Sequence, residues 1–200
     1  DDYAVGQYSA AVSITGIISF IPIVISESIT PILVSKRKKN IELYKKSRQS
    51  FSNILIWGSL VLSIIIMLLS PYIISILYGS EYNPAIGVMK IFAFKGVFVA
   101  MGAVAAQIMI IEAVHQLAYV KSVIGGIVNI VFNYFLILKL GMIGAVWASL
   151  LAFLLSSYIV HFFMKRYRYI FWIQTKSILF GWSFLIRDIN LLIRSEGIKK

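Results

Sequence analysis

Residues 117–138 read LAYVKSVIGGIVNIVFNYFLIL and residues 142–163 read MIGAVWASLLAFLLSSYIVHFF, with only Lys139-Leu140-Gly141 between them. Each arm is 22 residues, about 33 Å as a helix, which is enough to cross a bilayer core. On the first arm Lys121, Gly125, Asn129 and Asn133 recur every fourth residue and so share one face. Gly144, Ala148, Ala152 and Ser156 do the same on the second. Small residues at that spacing let membrane helices approach closely, so Gly125, Gly144, Ala148 and Ala152 are expected at helix contacts. Amides facing lipid would be costly, so Asn129 and Asn133 need partners, either across a helix contact or on a polar ligand.

Composition generalises the reading. The chain of 200 residues is 60% hydrophobic and 14% charged, with a mean hydropathy of +0.87. A soluble domain could not cover its surface from such a stock. Apolar runs longer than 18 residues predict helices rather than barrel strands. The fold expected is therefore all-α, a polytopic transmembrane bundle. No cysteine is present, which excludes disulfides and thiolate metal sites. The chain opens Asp-Asp-Tyr, with neither Met nor leader, and reads as one whose N-terminal part is missing.

Five spans are expected, at about 5–34, 51–77, 85–112, 117–138 and 142–163, forming one unit over 1–165. A basic tail, 166–200, follows. Pro22 and Pro31 interrupt the first span and Pro71 the second, which neighbouring helices can accommodate. The segment 35–50, SKRKKNIELYKKSRQS, carries seven Lys or Arg. Flanked by apolar spans, it is a cytoplasmic loop by the positive-inside rule and not a nucleic-acid patch. The net charge of +11 then reports loops beside anionic lipid. YGSEYNP at 78–84 has no Lys or Arg and fits the outer face. Lys165, Arg166 and Arg168 return the chain to the cytoplasm. The stretch 169–187 is expected to lie in the interface, with Trp172 and Trp182 at headgroup level, a sixth span being the alternative.

No catalytic set, nucleotide loop or metal cluster is legible, so neither an enzyme nor a cofactor is expected. His115 and His161 lie at span ends and read as interfacial histidines. Ser156-Ser157 reads as packing. Glu112 and Lys121 flank one turn and could pair. The informative charges are buried by position. Lys95 falls about ten residues into the third span and should face a wet cavity or an anionic partner, a carboxylate pairing being the alternative. Lys90 lies nearer the outer end and could snorkel. Glu27 is either a lumen-facing carboxylate or a partner of Lys36 and Arg37.

Four stretches taken together, VGQYSAA (5–11), LYGSEYNPA (77–85), GGIVNIVFN (125–133) and KLGMIGAVWAS (139–149), resemble the C-terminal half of Wzx-type polysaccharide or O-antigen flippases. These belong to the multidrug/oligosaccharidyl-lipid/polysaccharide exporter superfamily. The resemblance implies one bundle of a two-bundle exporter fold, whose partner would be the N-terminal bundle of the same protein. It implies a multi-pass protein of the bacterial inner membrane, moving undecaprenyl-diphosphate-linked oligosaccharide between leaflets among membrane lipids and other polysaccharide-assembly proteins. On that reading Lys95, Asn129, Asn133, Lys90 and Glu27 line the substrate cavity, with Lys95 on the diphosphate. A cation-coupled drug exporter of the same superfamily, a polysaccharide polymerase and a non-transporting membrane subunit are the alternatives. The tail beyond about 165 takes no part in the resemblance.

Overall fold

The structure, a computed structural model, describes residues 2–184 together with Asp188. These residues are helical almost throughout, with no strand among them. Among the described residues four stretches are long and apolar enough to cross a membrane: Asp2–Lys39, Ile41–Tyr78, Ser80–Ile111 and Ala118–Phe163. The chain is a polytopic helical bundle of the multi-pass membrane class. Its outer surface is apolar, as in Ile17, Ile76, Ile130 and Leu138, each more than 70% exposed, which water would penalise and lipid would not.

Helices α1 (Asp2–Lys39) and α2 (Ile41–Tyr78) are 38 residues each, about 57 Å. They are joined through Asn40 alone. The basic segment 35–50 is therefore not a loop but the last turn of α1 and the first turns of α2. Asn40 stops one helix and starts the next: its Oδ1 accepts from the amides of Glu42 at 2.8 Å and Leu43 at 3.1 Å, satisfying two of the free N–H groups of α2. Lysines and arginine in the last turn of α1 and Glu42 in the first turn of α2 suit the two helix dipoles. Both prolines of α1 and Pro71 of α2 stay inside continuous helix.

At the far end of α2, Gly79 takes a positive φ and ends the helix. The third span is two pieces, α3 (Asn83–Phe92) and α4 (Lys95–Ile111), broken at Ala93–Phe94. Ser63 of α2 donates to the carbonyl of Ala93 at 2.8 Å, serving a group the break exposes.

Helix α5 (Ala118–Leu154) contains a single non-helical residue, Gly141, at φ 55 and ψ −133. There the chain folds back on itself as the expected hairpin. A Cβ on Gly144 would collide with the carbonyl oxygen of Leu136, and one on Gly125 would stand 2.8 Å from Ser156 Cβ. The two small-residue stripes therefore face each other. The second arm continues through a widened turn, Leu155–Ile159, into α6 (Val160–Phe163). It packs on α3 and α4, with Val146 and Leu150 buried beside Ala85, Val88 and Met89. The first arm is peripheral, and among its described residues only Gly125 is buried.

Helix α7 (Arg168–Phe180) runs alongside the first part of α2. Gln49 reaches the Ile173 carbonyl at 3.1 Å and Ser177 Oγ at 2.9 Å, and Trp57 Nε1 donates to the Ser177 carbonyl at 2.8 Å. Trp172 and Trp182 are exposed. Of the tail, 185–187 and 189–200 fall outside the described residues.

Candidate functional site

Lys95 opens α4 directly after the break. It lies 12 residues after Asn83 and 16 before Ile111, about 18 Å and 24 Å along the axis, which puts it in mid-span. Its ammonium sits 5.1 Å from the Phe92 ring centroid and 5.3 Å from that of Phe153 in the second arm. Two ring faces offer a desolvated cation partial compensation through their quadrupoles. Among the described residues no carboxylate pairs with Lys95.

The other expected cavity residues do not converge on Lys95. Lys90 is exposed on α3. Glu27 is exposed on α1 and forms no ion pair among the described residues. Asn129 and Asn133 are half-buried inside the hairpin. Asn133 Nδ2 donates to Asn129 Oδ1 at 2.9 Å, and Asn129 Nδ2 reaches toward Ser149 Oγ of the second arm at 3.5 Å. Gly144, Ala148 and Ala152 are buried along the facing stripe.

Between α1, α2 and the α3–α4 break lies a pocket walled by Thr15, Ser19, Ser59 and Ser63 with Pro22 and Gly96. Its volume of about 10 Å³ suits one water and excludes a sugar.

Two expectations at the basic end are corrected. Glu112 does not pair with Lys121. Its Oε1 is bound by the Arg48 guanidinium and by the Tyr44 hydroxyl at 2.8 Å, and its Oε2 by the Tyr169 hydroxyl at 2.7 Å. The Arg48 guanidinium also lies 5.5 Å over the Tyr44 ring and 5.4 Å over the Tyr169 ring. One carboxylate thus ties α2, α4 and α7 together. Burial first, then the hydrogen bond to the Glu112 carboxylate, hold the Tyr169 phenol well above its ordinary range. The sequence could not show this, because the members are separated by up to 125 positions, counting from Tyr44 to Tyr169.

His161 is the second correction. It is not interfacial but fully buried. The widened turn at Leu155–Ile159 adds a residue to the helix and moves the inward face from Ser156 to Ser157, carrying His161 inward. Gln174 of α7 donates both amide hydrogens to carbonyls, of Met101 at 2.8 Å and Ser157 at 3.2 Å. Its Oε1 therefore faces His161 Nδ1, at 3.3 Å. His115 is exposed as expected.

A clamp at the opposite end also escaped the sequence. Gln7 Nε2 donates to the Glu81 carbonyl at 2.8 Å, and Gln7 Oε1 accepts from the Ala85 amide at 3.2 Å. A glutamine in an apolar run, Gln7 in VGQYSAA, was the available signal.

Comparison with known proteins adds no relative: no protein-family model, no curated protein and no solved structure matches this chain.

Proposed function

We propose that this chain is the C-terminal bundle of a flippase for polyprenyl-diphosphate-linked oligosaccharide, working by alternating access against a second bundle. The observation that carries the reading is Lys95. A mid-span lysine costs about 3 kcal/mol on insertion scales, so something should offset it. Two phenyl rings supply about 1–2 kcal/mol of that and leave the ammonium unneutralised. A transient diphosphate is a partner of the right sign and size for a compact ammonium. The four stretches that resemble Wzx-type flippases support the same reading and set its orientation, with the basic end and the 113–116 turn in the cytoplasm. The water-sized interior pocket agrees with a large ligand held between bundles rather than within one. Asn129 and Asn133, turned to each other inside the hairpin, serve packing in this reading, and the cavity role rests on Lys95.

The test is restoration of surface polysaccharide in a strain lacking the full-length protein. Lys95→Arg should retain most activity, and Lys95→Ala should lose it while still inserting. Normal polysaccharide from well-expressed Lys95→Ala would overturn the proposal.

A further inference from the structure

We propose that α7 and the Gly181–Phe184 turn form a re-entrant element, which dips into the acyl chains of the leaflet at the basic end and returns to the same face. The proposal rests on the membrane-bundle class and not on the transport reading.

Contacts set the direction of α7. Arg168 Nε, at its start, donates to the Phe162 carbonyl at 3.0 Å. Farther along, Gln174 reaches the Ser157 carbonyl at 3.2 Å, and Thr175 meets the Tyr158 hydroxyl at 2.8 Å. The helix therefore runs antiparallel to the second arm of the hairpin. Along α2 the order is reversed. Tyr169 shares Glu112 with Tyr44 and Arg48, Ser177 donates to Ser52 at 2.8 Å, and Gly181 packs against the Trp57 indole. Helix α7 thus lies along the bundle axis, heading inward from the basic end, and not across it.

The same contacts give its depth. Gln174 donates to the Met101 carbonyl. Met101 is six residues from mid-span Lys95, about 9 Å on the axis. A bilayer core reaches about 15 Å either side of its centre. Trp57, beside Gly181, is nine residues past Arg48, about 14 Å further in. Gln174 and the turn at Gly181 are therefore level with acyl chains.

The helix is also inside out for water. A helix lying on a membrane surface turns its polar side outward. Helix α7 turns Gln174 and Ser177 inward, both fully buried and hydrogen-bonded. It exposes Trp172, Ile178, Leu179 and Phe180, with Trp182 following. That outer face suits hydrocarbon. The exposed cations agree. Lys165, Arg166 and Arg168 stand at the start of the element, where anionic headgroups lie. Lys176 is exposed farther along, and its side chain leaves the helix tilted toward the N-terminal end, so it snorkels back to the headgroups.

Asp188 brings the chain back. Its carboxylate is buried and accepts from Ser50 Oγ at 2.9 Å and Asn53 Nδ2 at 2.6 Å. Those residues precede Trp57 on α2 by seven and four positions, about 10 Å and 6 Å nearer the basic end. A straight helix continued from Gly181 would carry Asp188, seven residues later, about 10 Å deeper instead.

The chain has no cysteine, so single cysteines carrying a nitroxide report their surroundings in the full chain in lipid bilayers. Oxygen concentrates among acyl chains and a nickel chelate in water, and the ratio of their collision rates measures depth. Leu68 on α2 and Lys39, both exposed, serve as the hydrocarbon and water references. Leu179→Cys should give a ratio close to that of Leu68→Cys and several-fold above that of Lys39→Cys, with Trp172→Cys between them. Ser195→Cys should react with an impermeant maleimide from the same side as Lys39→Cys. A Leu179→Cys ratio near that of Lys39→Cys would overturn the proposal in favour of a surface helix. Little collision with either reagent would overturn it as well, since protein and not lipid would then cover this face. Labelling of Ser195→Cys from the side opposite Lys39→Cys would replace the re-entrant element with a full crossing.

Discussion

Gly144 lies directly against the Leu136 carbonyl, so close that a Cβ there would collide with the oxygen. The contact is between two stretches of backbone, five residues before and three after the Gly141 fold, and neither can turn a side chain away. Hairpin closure therefore depends on a missing methyl group.

The first prediction follows from that contact. Gly144→Ala should destabilise the chain by about 2–3 kcal/mol, the cost of forced overpacking. Gly126→Ala has open space around it and should be neutral, or stabilising by up to about 1 kcal/mol through helix propensity. Unfolding in mixed micelles compares the two. Equal effects would show that the hairpin does not close as described.

A second concerns topology. Lys39 and Ser80 are exposed at opposite ends of the bundle. The chain has no cysteine of its own, so Lys39→Cys and Ser80→Cys report cleanly. An impermeant maleimide should reach them from opposite sides of the membrane. Ser47, fully buried on α2, should resist labelling from either side.

The third addresses the carboxylate knot. Arg48 and Glu112 side chains are 16% and 17% exposed. Glu112→Ala leaves a largely buried guanidinium without its anion and should cost about 3 kcal/mol. Tyr169→Phe removes one charge-assisted hydrogen bond and should cost about 1–2 kcal/mol. Thermal unfolding measured side by side should rank them in that order.

Alkaline pH provides the fourth. The folded state raises Tyr169 above its ordinary value of 10.0, so folding favours the neutral phenol. The unfolded chain releases that proton first. The associated stability is fully present below about pH 10 and falls as pH rises through the elevated folded value. Tyr169→Phe should flatten the alkaline loss of stability measured by chemical unfolding. An unchanged slope would remove Tyr169 from the account.

The sequence alone determined the class. Sixty per cent hydrophobic residues and apolar runs longer than a bilayer is thick leave a helical membrane bundle as the architecture, because backbone polar groups must be satisfied without water. The hairpin was legible as well, since Gly141 is flanked by two stripes of period four and periodicity is a local property. What faces what was not local. The sequence showed that both stripes wanted a neighbour; only the fold showed that they take each other. Lys121 and Glu112 are close in sequence, yet Glu112 is claimed by Arg48, 64 positions away, and by two tyrosines. His161 looked interfacial by position, and one widened helical turn carried it into the interior. Polar partners in a bundle are chosen by rotation about helix axes and by register between helices. A single extra residue in a turn alters both, and tertiary packing alone decides them.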